Sequence, residues 1–310
     1  MKINRLAAAS VALLFATSAA FIACSKENEG INNKQAQAQN NSNSNFKETN
    51  PITHRVEFPR VKGGKSIIVT HTLSDGEVNF SLEWDGEKRS NRWTCYQQYA
   101  SNSKTNTGRW QNKQNQYPSD PKIPYTMAFS DDHFYGSGYD HGHLCPSADR
   151  LNSKEANRQT FFISNMQPQL KKFNGSDANG GIWLTMEHKM RAALNINSKD
   201  TMFVCRGGTI DKENQIKEHR RDGFIVPGYY FSTAVMKYYD AYRNKWEYKA
   251  IAFWFEHKNN QDKSLKPYVI SIDELEQLTG IDFFCNLPDD IENKIEAADK
   301  ESMIKVWNII

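Results

Sequence analysis

Two histidines, two carboxylates and a glycine fall within one short stretch, Tyr139-Asp140-His141-Gly142-His143-Leu144-Cys145-Pro146-Ser147-Ala148-Asp149-Arg150. A histidine can take a proton from water near neutral pH, so this stretch offers a general base. Gly142 lets the backbone turn sharply and lets a substrate come close. Asp140 could orient a ring or a neighbouring backbone amide. Taken alone, the stretch has two further readings. His141, His143 and Cys145 could form a metal-ligand set, or the histidines could be structural.

A second cluster narrows the choice. Asn165-Met166-Gln167-Pro168-Gln169 is followed by Asn179-Gly180-Gly181-Ile182-Trp183-Leu184-Thr185-Met186-Glu187, with Arg191 one helical turn further on. An amide oxygen and water oxygens suit a hard divalent ion such as Mg²⁺, which keeps most of its waters. Glu187 could hold one of those waters from behind. Arg191 and Arg109 could neutralise charge on a phosphate during its transfer.

Taken in order, these motifs resemble the DNA/RNA non-specific endonuclease family, which includes the Serratia-type nuclease and mitochondrial endonuclease G. Asp140, Gly142 and His143 match its first motif, and Asn165, Pro168 and Gln169 its second. Asn179, Gly181, Trp183, Met186 and Glu187 match its third. Similarity extends to Cys205-Arg206-Gly207-Gly208-Thr209, to Ile225-Val226-Pro227 and to Leu278-Thr279-Gly280.

The resemblance implies an α+β fold with a mixed, mainly antiparallel sheet and a ββα-metal active site. It implies one divalent ion, Mg²⁺ with Mn²⁺ as a substitute, and cleavage of both DNA and RNA. By similarity His143 is the general base, Asn179 the direct protein ligand to the ion, and Glu187 the residue that positions metal-bound water. Asn165, Arg109 and Arg191 resemble the groups that support the phosphate, and Asp140 belongs to the same motif.

The chain departs from the pattern twice. The family's arginine after the aspartate is His141 here, and a histidine lacks the permanently charged fork of an arginine. His141 could still contact phosphate as an imidazolium; its loss of the arginine could also leave a nucleic-acid-binding protein without turnover. The second departure is an insertion. Counting forward from Pro168-Gln169 lands on Asn174, whereas counting back from Glu187 lands on Asn179. Asn179 is the expected ligand because a rigid helix fixes the register to Glu187; Asn174 is the alternative.

The elements that must position these groups are partly readable. Residues 66–72 and 78–84 are β-branched or alternating runs around Ser74-Asp75-Gly76, which predicts a hairpin. Strands are expected at 93–99, 161–165, 202–205, 229–236 and 250–255, and a helix-compatible polar run at 153–160. Residues 182–195 are the clearest helix, with Ile182, Met186, Met190 and Ala193 at helical spacing. Trp183, Met186 and Met190 are expected in the core and His188 in solvent. Ser271-Ile272-Asp273-Glu274 is a capping box and Gly280 a stop signal. A last helix is expected over 291–306. Helices and strands do not alternate regularly, which favours α+β over a doubly wound sheet.

The chain ends and composition add bounds. Lys2 and Arg5 precede an apolar run over 6–21, too short for a comfortable membrane span. It closes on Phe21-Ile22-Ala23-Cys24, similar to a bacterial lipoprotein box, so residues 1–23 are expected to be a signal peptide. Cys24 would then be lipidated and hold the exported protein at the cell envelope. Residues 24–50 are rich in Asn, Gln and Ser and are expected to be a flexible tether, with the folded domain over 51–310. The net charge of +3 is too small to argue a nucleic-acid partner by itself. Lys171-Lys172 and Arg220-Arg221 read as solvated surface. Cys95, Cys145, Cys205 and Cys285 allow three full pairings, and without a CxxC pair a structural zinc site is not expected. A monomer and a homodimer are both compatible with the sequence.

Overall fold

The structure is a computed structural model that describes residues 41, 43–176, 180–260 and 263–309. The expected signal peptide and Cys24 lie outside these residues. No helix among the described residues is long and apolar enough to cross a membrane.

The hairpin expected around Gly76 forms β1 (Ser66–Thr72) and β2 (Val78–Asp85). With β3 (Ser90–Tyr99), β6 (Thr201–Gly208), β9 (Tyr229–Asp240), β10 (Lys245–Glu256) and β11 (Val269–Ile270) they build a seven-stranded sheet ordered β1-β2-β3-β6-β9-β10-β11. Every neighbouring pair is antiparallel. Two small hairpins stand outside it: β4 (Asp140–His143) with β5 (Met166–Gln169), and β7 (Ile216–His219) with β8 (Ile225–Pro227). The helices are α1 (Lys154–Gln159), α2 (Lys171–Asn174), α3 (Ile182–Ala193), α4 (Ile272–Thr279), α5 (Asp289–Glu296) and α6 (Lys300–Val306).

Both faces of the sheet are covered, because alternate residues of its central strands are apolar on both sides. Met202 and Val204 of β6 pack with Ile182, Trp183, Met186 and Met190 of α3 in one core. Phe203 and Cys205 of the same strand pack with Ile272 and Leu275 of α4 and Ile295 of α5 in a second core. The helix expected at 182–195 thus carries the site on one face of the sheet, and α4 and α5 cover the other.

Three local expectations change. The last helix divides into α5 and α6, because the Asp299 side chain accepts from Ser302 N and starts a new helix. Residues 161–165 end in a 3₁₀ turn (Ile163–Asn165), and the strand begins only at Met166. The expected tether also stops sooner. Residues 43–50 pack on the domain, with Asn45 fully buried and its amide donating to the Thr53 and Pro59 carbonyls. Asparagine amides paired with backbone make this polar segment compatible with packing. Cys95, Cys145, Cys205 and Cys285 are buried free thiols.

Candidate active site

The β4–β5 hairpin pairs Asp140 with Gln169, His141 with Pro168, Gly142 with Gln167 and His143 with Met166. The close approach demands glycine at 142: a Cβ there would lie 2.4 Å from Gln169 Cδ. The hairpin lies against α3, joined by a bond from Trp183 Nε1 to the His143 carbonyl at 3.3 Å. Between them opens a cleft of about 360 Å³ whose walls include Arg109, Asp140, His141, His143, Asn174 and Glu187.

His143 stands at the floor of the cleft, 9 % exposed, with its ring edge-on to Phe161. Burial, with Arg109 nearby, pulls its pKa down to about 3, so the ring is neutral at physiological pH. The His141 backbone engages one ring nitrogen, while Nε2 is buried without a partner among the described residues. Nε2 is therefore a lone pair with no hydrogen bond among the described residues, on a residue that lines the cleft, which is what a general base requires.

Glu187 enters from α3 and is 8 % exposed. Burial raises its pKa to about 7, opposed by the Arg206 guanidinium beneath it, whose Nη1 is 3.9 Å from Glu187 Oε1. Arg206 is itself fully buried, donates from Nε to Ser232 Oγ at 3.1 Å and lies over the Tyr96 ring. It was not singled out from the sequence as a site residue. The available signal was parity: Arg206 follows Met202 and Val204 on the α3 side of β6.

Among the described residues Asp140 holds neither a ring nor a backbone amide. Its Oδ2 accepts from Asn174 Nδ2 at 3.2 Å and from the Ser176 hydroxyl. That contact fixes the Asn174 amide at the cleft wall, and Asn174 Oδ1 accepts no hydrogen bond among the described residues. Asn179 lies outside the described residues. An amide oxygen, a buried carboxylate and room for water form a hard-oxygen donor set, which fits a divalent ion that keeps much of its hydration.

Three expected site residues act at one remove. Asn165 is fully buried and does not reach the cleft: Oδ1 accepts from Cys145 N at 2.9 Å, and Nδ2 donates to the Cys145 and Thr160 carbonyls at 2.9 Å each. It fixes the exit of β4 and so positions His143. Arg191 donates from Nε to Asp149 Oδ1 at 2.7 Å, and Asp149 also accepts from the Tyr96 hydroxyl at 2.9 Å. His141 has Nε2 on the Asp132 carboxylate at 2.9 and 3.0 Å. Its ring is stacked between Tyr117 at 3.6 Å and Phe134 at 4.4 Å. Burial alone would raise the Asp132 pKa, but the His141 hydrogen bond and charge hold it below the usual range. With Nε2 on Asp132 and both faces stacked, His141 is held as part of the cleft wall. Arg109 stays exposed at the rim, its guanidinium 4.7 Å above the Phe161 ring.

A metal set of His141, His143 and Cys145 is not formed. Cys145 is fully buried with its thiol pushed up to about 12 by burial, and His141 is engaged by Asp132. Trp183, Met186 and Met190 are core, as expected, and His188 is exposed.

Comparison with known proteins places the chain in a family. The profile of the family described as DNA/RNA non-specific endonuclease matches residues 64–290. The mitochondrial nuclease EXOG of Xenopus laevis is 26 % identical over 235 residues, covering 72 % of this chain and 61 % of its own length. A nuclease of a Nostoc species is 26 % identical over 227 residues, covering 70 % and 75 %. The chain therefore spans about three-fifths of the frog protein. A chain of the solved EndoG/EndoGI complex superposes with a TM-score of 0.57 at 18 % identity, covering 74 % of this chain and 91 % of that one, a likeness of fold.

Proposed function

Because the chain belongs to the DNA/RNA non-specific endonuclease family, we propose that it hydrolyses phosphodiester bonds of DNA and RNA with the help of one divalent ion, Mg²⁺ or Mn²⁺. The observation that carries this reading is the neutral, unpartnered Nε2 of His143 in a cleft walled by Asn174, Glu187 and Arg109.

His143 accepts the proton of the attacking water at Nε2. Asn174, held by Asp140, and Glu187 are the groups that would hold the ion and its water. When bound, such an ion lowers the cost of negative charge on the phosphate and the leaving oxygen. Arg109 at the rim adds a permanent charge for the same phosphate. Arg206 keeps a cation under Glu187, and Asp149 orients Arg191; both act through the residue they touch.

The test is digestion of supercoiled plasmid and of single-stranded RNA by the purified chain. Both substrates should be cut with Mg²⁺ and neither with excess EDTA. Binding of both without cleavage, over Mg²⁺ and Mn²⁺, would refute the reading.

Export and lipid anchoring through Cys24 are part of the proposal on sequence pattern alone. Labelling with a radioactive fatty acid should mark the full chain and not its Cys24→Ala variant; no label on the unchanged chain would remove the anchor.

A further inference from the structure

On the sheet face away from the His143 cleft, α4 and α5 bring carboxylates together. One oxygen each of Asp273, Glu276 and Glu296 lies within 4.8 Å of the others. Asp282 and Glu292 stand beside them but are served by Asn43. Its Nδ2 donates to both Asp282 oxygens at 3.2 and 3.0 Å and to Glu292 Oε1 at 2.9 Å. Glu276 Oε1 accepts from Phe283 N at 2.7 Å.

Glu296 has no such relief. It is 6 % exposed, and its Oε1 is buried with no hydrogen-bond partner among the described residues. Leaving a buried carboxylate unpartnered is costly unless it meets a cation or keeps its proton. Burial pushes the Glu296 pKa up to about 10, and Glu276, Glu292, Asp282 and Asp273 push it the same way. Burial likewise raises Glu276 to about 8. None of the largest influences on either residue comes from a cationic side chain. An exposed acidic patch would need no explanation; a buried, unpartnered glutamate aimed into one does.

We propose that Asp273, Glu276 and Glu296 form a structural calcium site that ties α4 to α5. Oxygens on opposite sides of a Ca²⁺ ion stand about 5 Å apart, twice the metal–oxygen distance, so the observed spacing is one the ion can bridge. Three carboxylates from two helices suit the variable coordination of Ca²⁺ better than the strict octahedron of Mg²⁺. Asp273, the exposed member, leaves one side open to water. The site is separate from the cleft, because α3 packs in one core and α4 and α5 in the other. A calcium site here is independent of the nuclease reading.

The experiment is calorimetric titration and thermal unfolding of the EGTA-stripped full chain with CaCl₂ or MgCl₂ alone. Ca²⁺ at a hundredfold excess over Kd should raise Tm by roughly 5–10 °C. Glu296→Gln should lose that rise while plasmid cleavage with Mg²⁺ is unchanged. Its Tm in EGTA should be no lower than that of the unchanged chain, because an amide imitates the protonated acid. Asp273→Asn, at the exposed position, gives a second variant and should weaken Ca²⁺ binding at least about tenfold. The proposal is overturned if Ca²⁺ leaves Tm unchanged, if the rise survives in both variants, or if Mg²⁺ at the same concentration matches it.

Discussion

His143→Ala should lower Mg²⁺-dependent plasmid cleavage by roughly 10²–10⁴-fold, the range expected for loss of a general base. That is about 3–5 kcal/mol of transition-state stabilisation. The expectation follows from what surrounds the ring. Nε2 has no partner among the described residues, whereas the other nitrogen is engaged by the His141 backbone, so the ring is held in one tautomer and one orientation. No other histidine lining the cleft replaces it: the second one, His141, is engaged by Asp132. The low pKa of about 3 belongs to the cleft without substrate. A phosphate brings negative charge beside the ring and favours its protonated form, which strengthens the base at the moment it is needed.

The same shift makes a stability prediction that separates a folded variant from a broken one. His143 has a folded pKa below its unfolded value of about 6.5. The unfolded chain therefore takes the proton first as pH falls. Stability is unaffected by this group above about pH 6.5 and declines from there towards pH 3. Denaturant unfolding of His143→Ala should show a shallower decline over that window. Cleavage within threefold of the unchanged chain, with the variant folded, would remove His143 as the base.

The parts of the site that could be read from the sequence are those fixed by local register. His143 was marked by its motif, and Glu187 by its motif and its place on the helix that carries Trp183, Met186 and Met190 inward at helical spacing. Their supports are remote in sequence and carried no local signal. Asp132 and Tyr117 reach His141 through an irregular segment, and Asp149 meets Arg191 across 42 residues. Asn165 matched a motif, but the motif did not say that its amide would bind the Cys145 backbone and leave nothing for substrate. The fold shows the same division. The β1–β2 hairpin, α3 and the Ser271 cap follow from patterns within one element. The β3-β6 pairing joins strands about a hundred residues apart, which alternation alone does not choose.

The insertion before α3 is where register fails, and it sets the second large effect. Asn174→Ala should raise the Mg²⁺ concentration needed for half-maximal cleavage by at least about tenfold, whereas Asn179→Ala should change it little. The argument rests on how the inserted loop closes. A Cβ on Gly175 would lie 2.8 Å from Gly181 N, and one on Gly181 would lie 2.6 Å from Gly175 N and 2.3 Å from the Phe173 carbonyl. The two ends of the loop touch, so the extra residues leave the path at Gly175 and rejoin it at Gly181. In space, then, the end of α2 sits directly before α3, and Asn174 takes the place that a chain without the insertion would give to the residue two before Gly181, the position that Asn179 holds along the chain. Counting back from Glu187 along the chain misses this, because a loop whose ends meet adds residues without adding distance. Asp140 completes the case by accepting from Asn174 Nδ2, which orients the amide and leaves its oxygen, among the described residues, available as a ligand atom. A larger Mg²⁺ shift in Asn179→Ala than in Asn174→Ala would return the ligand to the residue that sequence register favours.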